Sequence, residues 1–349
     1  QQLKFHACFI GDIFYFQPQK MISYPEVDSI LYEFPADDLI QFFQTGVAQA
    51  NIIYKNETGI IKTPRVENIE IKYSTPAHED FPLKKYTVPF MKSEVCASIF
   101  TNFGCKFQCS YCPASAVSYR ERTVNDIKDE LDYLKTRNID NLWVRDFTFG
   151  LNYKLTKEVL SVLEQENFKW FCSSRAEVLK PDLIKSMASS GCYFMAIGID
   201  MISEESNKRV NRNQKNHVIK KTLKEVSNNN IRVLVHLLLA APGETYLDML
   251  KSIHFVSFSS ATFLSINFFS PRAGSKYFQG DSIQSNSQEV LDSYHSNTFF
   301  LNLIKFYALC IFYFNPIRIF HILSMISSKK ELFRMLKTGV NLFLPNTIK

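Results

Sequence analysis

At 349 residues the chain can hold one large domain with appendages, or two to three small ones each with a core of its own. Net charge is a mild +6, and the densest basic runs are pairs such as Lys84-Lys85, Lys220-Lys221 and Lys329-Lys330, so no nucleic acid is expected as a partner. The hydrophobic content of 46% is ordinary for a globular protein, and the first residues lack a basic region followed by an apolar core, which argues against secretion.

Residues 1–50 supply at most two strands and one clear helix, 37–44. There is no Met at position 1, which points to a chain that begins inside a longer protein.

An apolar, strand-like run at 97–100 then leads into Cys105, Cys109 and Cys112, with three and two residues between them. Three thiolates at this spacing can each hold one corner of a cubane iron–sulfur cluster and leave the fourth iron open for chemistry. Gly104 frees the turn, and an aromatic, Tyr111, stands immediately before the third cysteine. A zinc site is the alternative, but it would want a fourth Cys or His close by; His78, His217 and His236 are all distant in sequence, and Cys96 would give an atypical pattern. Cys8, Cys96, Cys172, Cys192 and Cys310 read as buried apolar thiols. Reduced cysteines and an oxygen-sensitive cluster together argue for the cytoplasm.

After the cysteines, strand-like and amphipathic helical runs alternate. A helix starts near Thr123, with Thr123 and Asp126 as a capping pair and Ile127, Leu131 and Leu134 at helical spacing. Strands at 141–144, 168–172, 193–199, 233–239 and 262–269 are separated by helices at 155–163, 181–187, 216–228 and 246–256. Counting the strand before the cysteines, this predicts an α/β fold of six β/α units; the family resemblance given below implies that they form a partial (β/α)6 barrel whose chemistry sits at the C-terminal strand ends. From 281 to 349 a helical region is expected. Its apolar stretch has only twelve charge-free residues, 306–317, short of the ~20 that a spanning helix needs, and Asn315-Pro316 breaks it. A helical cap buried on the barrel is the preferred reading, and peripheral membrane contact, a membrane-associated protein, is the alternative.

At the cysteine loop the sequence resembles the radical S-adenosylmethionine (SAM) superfamily, whose signature is this cysteine spacing with an aromatic before the last Cys. The resemblance extends over nearly the whole chain and is closest to the group in which a cobalamin-binding domain precedes the radical domain. It implies a [4Fe–4S] cluster held by Cys105, Cys109 and Cys112, with SAM chelating the open iron. One electron from an external reductant such as flavodoxin or ferredoxin then yields methionine and a 5′-deoxyadenosyl radical that abstracts hydrogen from a small-molecule or lipid-like substrate.

Further motifs carry the resemblance. Arg145-Asp146-Phe147-Thr148-Phe149 is similar to the family's Arg-Asp-x-Thr-Phe, and Trp170-Phe171-Cys172-Ser173-Ser174-Arg175 to Trp-x-Cys-x-x-Arg. Gly198-Ile199-Asp200-Met201 stands where relatives have Gly-x-Glu followed by Ser, so Asp200 keeps the charge with less reach and Met201 lacks the hydroxyl. Ala240-Ala241-Pro242-Gly243-Glu244-Thr245 is close to Gly-x-Pro-Gly-Glu-Thr, and Pro271-Arg272-Ala273-Gly274-Ser275 departs from Pro-x-Pro-Gly-Thr. The resemblance makes Tyr111, Asp146, Arg175 and Asp200 the expected SAM shell, a carboxylate suiting the SAM amine and a guanidinium its carboxylate. The plainer readings are that Asp146 caps a turn, Arg175 pairs with a nearby carboxylate, and 242–245 is only a strand-to-helix turn with its cap; the last is preferred. No catalytic residue is assigned.

Residues 1–50 resemble the last part of the cobalamin domain, a truncated Rossmann-like segment. Residues 51–92 look like the linker, 93–280 like the barrel. The family's Asp-x-His-x-x-Gly cobalt-ligand motif is absent, and His6 and His78 are unconvincing substitutes, so either the chain is a fragment or that domain has been lost. Cobalamin is expected to bind only with a more complete N-terminal domain. The function implied is C–H functionalisation, foremost cobalamin-type methyl transfer in the intact protein, with radical cyclisation or rearrangement and a non-catalytic electron-transfer protein as alternatives. A methylthiotransferase is disfavoured, because that group needs three further upstream cysteines and only Cys8 and Cys96 are available.

Overall fold

The computed structural model describes residues 6–9, 17–31, 37–66, 70–71, 73–86, 88–277, 298–326 and 328–343. Residues 10–12 and 32–33 of the expected N-terminal strands, and 281–297 of the expected helical region, lie outside the described residues.

At the N-terminal end β1 (Cys8–Phe9) and β2 (Ser29–Leu31) pair in parallel, with α1 (Pro18–Ile22) between them and α2 (Asp37–Thr45) after. The hairpin β3 (Ile52–Asn56) and β4 (Gly59–Lys62) extends the same sheet in antiparallel fashion. Alternation drives this: Ile30 and Ile53 bury against Met21, Ile22 and Val27, while Leu31 and Ile52 bury against Phe42 and Ala48. Residues 52–62, expected as linker, are therefore integral to the N-terminal sheet. Their turn is closed by the Asn56 side chain, which accepts from the Thr58 amide at 2.9 Å.

β5 (Glu70–Ile71), β7 (Asn102–Phe103) and β8 (Arg120–Arg122) make a small sheet beside the cysteine loop. The main sheet has six strands, all parallel, in the order β6 (Ala97–Ile99), β9 (Asn141–Val144), β10 (Lys169–Ser174), β11 (Cys192–Asp200), β12 (Arg232–Leu239) and β13 (Phe263–Phe268). This is the expected partial barrel. Between the strands run α3 (Val124–Thr136), α4 (Tyr153–Gln165), α5 (Pro181–Ser189), α6 (Glu204–Arg209), α7 (Asn216–Asn228) and α8 (Tyr246–Ser257). α6 is the one helix in this stretch that the sequence reading passed over.

Strand period and helix period together define the core. On β12, Val233, Val235, Leu237 and Leu239 are fully buried toward the helices, while Leu234, His236 and Leu238 alternate onto the lumen side. Local signals fix the helix starts: Thr123 accepts from the Asp126 amide at 3.1 Å, and Thr245 with Asp248 forms a reciprocal capping box. The turn 242–245 is thus the strand-to-helix connection with its cap that was preferred from the sequence.

The C-terminal helices are α9 (Thr298–Tyr313), α10 (Pro316–Ser324) and α11 (Lys329–Phe343). α9 docks on the barrel through Leu301, Ile304, Ala308 and Phe312. Asn315 caps α10, and buried Arg318 ties it back to the carbonyls of Ser257 at 2.7 Å and of Ala261. Glu331 of α11 pairs with buried Arg232. Ile317, Phe320 and Phe333 remain exposed. Among the described residues no single helix is long and apolar enough to cross a membrane; the pair Phe299–Tyr313 and Pro316–Ser324 passes that test jointly but is bent by 67°.

Candidate active site

The cysteine loop leaves β6 and is held from below by one carboxylate. Asp146, just past β9, accepts from the Thr101 and Asn102 amides at 2.7 and 3.3 Å, from the Thr101 hydroxyl at 2.5 Å and from the Asn102 side-chain amide at 2.7 Å. Each of its oxygens takes two hydrogen bonds, so the contact with SAM expected from the sequence would require giving one up. Burial pushes the Asp146 carboxyl up to about 6, with the bonds from Thr101 and Asn102 working the other way. Beneath the loop, buried Arg122 donates to the Phe100 carbonyl at 3.0 Å and to Glu130 at 2.5 Å, and Glu130 meets His78 at 2.9 Å. His78 is thereby a scaffold residue, as expected of an isolated histidine. Gly104 has φ +72°, and a Cβ there would stand 2.3 Å from the Ser118 carbonyl oxygen, so only glycine permits this turn.

The loop is also sewn to its surroundings from both sides. The Ser110 amide donates to Val210 O at 2.9 Å, and Ser110 O accepts from the Lys276 amide at 2.9 Å. The Asn211 side chain adds a bond of 2.8 Å to the carbonyl of Gln108.

All three cysteines are free thiols; Cys109 is buried and Cys105 and Cys112 are half-buried. Cys105 lies 3.7 Å from the Thr148 hydroxyl, and the Cys112 amide donates to Cys109 O at 3.1 Å. Burial raises the Cys112 thiol above its ordinary value, and Cys109 and Cys105 raise it further, which places the three sulfurs in one electrostatic neighbourhood. Arg175 donates to the Cys109 sulfur at 3.0 Å, and Arg212 approaches it at 3.9 Å. Soft thiolates backed by guanidinium cations are the donor chemistry that an iron–sulfur cluster requires. Among the described residues no group of three His, Cys, Asp or Glu side chains is set to hold a single metal ion. The residues fit a cluster.

Above the cysteines Tyr111, Asp200 and Arg212 converge. The Tyr111 hydroxyl donates to Asp200 Oδ2 at 2.5 Å, and Arg212 Nη1 meets the same oxygen at 2.8 Å and Tyr111 Oη at 2.9 Å. Asp200 adopts φ +62°, a left-handed conformation that aspartate tolerates better than most residues. Burial raises the Tyr111 hydroxyl well above its usual value, with Asp200 adding to it. For Arg212 burial works against the charge, yet Asp200, Tyr111 and Cys109 more than offset it and hold the guanidinium protonated. Arg175 is fixed by Glu177 at 2.8 Å and by the Arg212 carbonyl at 2.9 Å, and its guanidinium lies 3.7 Å from the Phe107 ring centroid. Gln214 bridges Glu177 and the Gly198 carbonyl at 3.2 and 3.0 Å. Met201 is fully buried with Val210, Ala241 and Phe269, a packing residue at the place where the resemblance implied a serine.

The structure thus brings together Tyr111, Arg175, Asp200 and the cysteines, and places Asp146 under the loop. Sequence reasoning missed Arg212, Glu177 and Gln214. The available signal was Asn211-Arg212-Asn213, in which both asparagines adopt positive φ, 51° and 54°, and turn Arg212 back over the loop.

Residues 99–256 match the family model described as Radical SAM superfamily. They form a radical SAM domain. The chain is similar over 151 residues, at 23% identity, to the cytidylyl-2-hydroxyethylphosphonate methyltransferase of Streptomyces wedmorensis, covering 40% of this chain and 28% of that one. Over 170 residues it is 25% identical to the ribosomal protein uS12 methylthiotransferase RimO of Clostridium tetani, covering 44% and 38%. Among solved structures, the radical SAM methyltransferase TsrM from Kitasatospora setae, bound to cobalamin and a [4Fe–4S] cluster, superposes with a TM-score of 0.61 at 16% identity over 75% of this chain and 54% of that one. The cobalamin-dependent enzyme OxsB superposes with a TM-score of 0.57 at 18% identity over 71% and 38%. The structural likenesses confirm the fold of the radical SAM domain. The chain spans well under half the length of these two curated relatives and about half of TsrM.

Proposed function

We propose that the chain is the catalytic core of a radical SAM enzyme that functionalises a C–H bond, with methyl transfer as the outcome. The observation that carries this reading is the convergence of Cys105, Cys109 and Cys112 with Arg175 at 3.0 Å from the Cys109 sulfur, beneath the Tyr111–Asp200–Arg212 cluster. A [4Fe–4S] cluster with SAM, given one electron by an external reductant, supplies methionine and a carbon-centred radical able to abstract hydrogen. Within the protein, the three thiolates hold the cluster and Arg175 and Arg212 balance their charge. Asp200 offers a carboxylate acceptor for the SAM amine, and Tyr111 fixes that carboxylate in place. Met201, Val210 and Phe269 keep water from the floor of the site. Methyl transfer is supported by relatives that transfer methyl or methylthio groups.

Anaerobic reconstitution followed by chemical reduction in the presence of SAM tests the reading. Formation of 5′-deoxyadenosine is expected, and a reduced, cluster-bearing chain that leaves SAM intact would overturn the radical reading; methyl transfer is read from S-adenosylhomocysteine formed by a version of the chain extended at the N-terminus and supplied with cobalamin. Replacing Cys105, Cys109 and Cys112 together by Ala abolishes both the visible absorption and the product, and full iron retention in that variant would overturn the assignment.

A further inference from the structure

Between the β13 edge of the sheet and the C-terminal helices lies a half-open cavity of about 470 Å³. That volume is in the range of small-molecule sites. Its walls are almost wholly apolar. Leu309 of α9 and Leu332 and Met335 of α11 face Phe194 and Leu234 of the sheet across it. Lys305, Leu309 and Tyr313 on α9 and Leu332, Met335 and Gly339 on α11 recur at helical spacing along it, so the cavity follows from the way these helices meet a strand edge.

Few polar side chains line this space, and two matter. Ser265 is the register partner of His236, which pairs in turn with Gly198, two residues before Asp200 on β11. Two strand spacings of about 4.8 Å and two strand residues of about 3.4 Å separate them, so Ser265 lies about 12 Å from the backbone of Asp200. Lys305 is the other, half-buried in the cavity wall. No carboxylate pairs with it among the described residues, whereas the Tyr313 hydroxyl on the same helix is occupied by the Leu264 backbone at 3.1 Å.

The direction of α9 orders these groups. Phe300 meets Tyr246 at the start of α8, and Tyr313 meets Leu264 at the foot of β13, so the helix runs from the strands' C-terminal ends toward their N-terminal ends. Lys305 stands eight residues before Tyr313, about 12 Å nearer to the end that carries the cysteines. Lys305 therefore stands at the end close to the site, whereas Ser265, next to Leu264, lies toward the far end among the apolar residues.

Resting on the enzyme reading above, we propose that this cavity holds the aliphatic chain of the substrate, an amphiphile whose anionic group is received by Lys305. A long alkyl chain with one acidic group matches a cavity that is apolar along its length and cationic at one end, and burial of the chain supplies the affinity while Lys305 sets its direction.

The probe is cis-parinaric acid, a fluorescent fatty acid, titrated into the full reconstituted chain alongside its uncharged methyl ester. Saturable binding of the acid is expected at low micromolar concentration, with the ester about tenfold weaker. Gly339 lines the cavity, and a Cβ built on it meets no atom within 4 Å. Gly339→Leu therefore starts its side chain in open space and directs it into the cavity, and leucine is the better helix former. This variant should lose binding of acid and ester alike by about tenfold or more, and Lys305→Glu should weaken the acid while sparing the ester. Binding indifferent to Gly339→Leu, or an acid and ester that Lys305→Glu affects equally, overturns the proposal. Wild-type protein that forms 5′-deoxyadenosine but binds no parinaric acid refutes this inference alone. Binding without SAM cleavage supports the ligand site and refutes the proposed function instead.

Discussion

One guanidinium nitrogen of Arg175 lies 3.0 Å from the sulfur of Cys109, while the other is shared between Glu177 and the backbone carbonyl of Arg212. The arginine cannot swing away from the sulfur without breaking both of those bonds. A hydrogen bond to a ligating sulfur withdraws charge from the cluster and raises its potential. Arg175→Ala is expected to shift the reconstituted cluster to a more negative potential in a redox titration followed by electron paramagnetic resonance. An unchanged potential would mean that the guanidinium does not act on the cluster.

Asp200 is the carboxylate proposed above to meet the SAM amine. Asp200→Asn keeps its size and its contacts with Tyr111 and Arg212 but removes the charge. SAM affinity should fall by about 1–3 kcal/mol, the range for a charged hydrogen bond, with the cluster's visible absorption retained. Calorimetric titration reads the difference, and equal affinity in both proteins would relegate Asp200 to structure.

Arg212 holds Asp200 in place and is itself buried. Arg212→Ala leaves that carboxylate without its cation and should cost about 3–5 kcal/mol in urea unfolding. Adding Asp200→Asn to the same chain should recover part of that loss, because the stranded charge is gone. Additive losses would show that the two residues do not act as a pair.

Asp146 makes stability depend on pH in an uncommon direction for a carboxylate. Its native value is raised to about 6, against about 3.9 when unfolded, so the folded chain binds this proton more tightly. Its contribution is complete below about pH 4 and is lost as pH rises through about 6, a change of about 3 kcal/mol. Asp146→Asn removes the titration. The stability of the wild type relative to this variant should therefore decline across that window in urea unfolding, and a flat difference would place the titration elsewhere.

The barrel was legible because its strands are largely apolar runs bounded by polar turns, and some of its helices begin at a recognisable cap such as Thr123 or Thr245. The hairpin at 52–62 was missed although Ile53 and Ile61 mark it, since residues this close to a presumed linker were read by likeness and not by alternation. At the site, Tyr111 and Asp200 were both named, but their contact spans 89 positions and no local pattern encodes it. Arg212 was invisible for a related reason: a short polar run becomes a site only once the two left-handed asparagines aim its side chain. Asp146 was found as a residue, while its direction, toward the loop amides, depends on how β6 and β9 lie side by side.

The two backbone bonds of Ser110 join three separate stretches of chain at one residue: the cysteine loop, the end of α6 at Val210, and the segment after β13 at Lys276. Such a junction ties the placement of the cysteine loop to the packing of the barrel mouth, so a cluster held by the loop would brace that mouth as well. Oxygen damage to the cluster would then do more than remove a cofactor. It would unpick a seam holding the last strand's exit in place, so that a damaged molecule presents its mouth to proteases and is marked for disposal by the same chemistry that inactivated it.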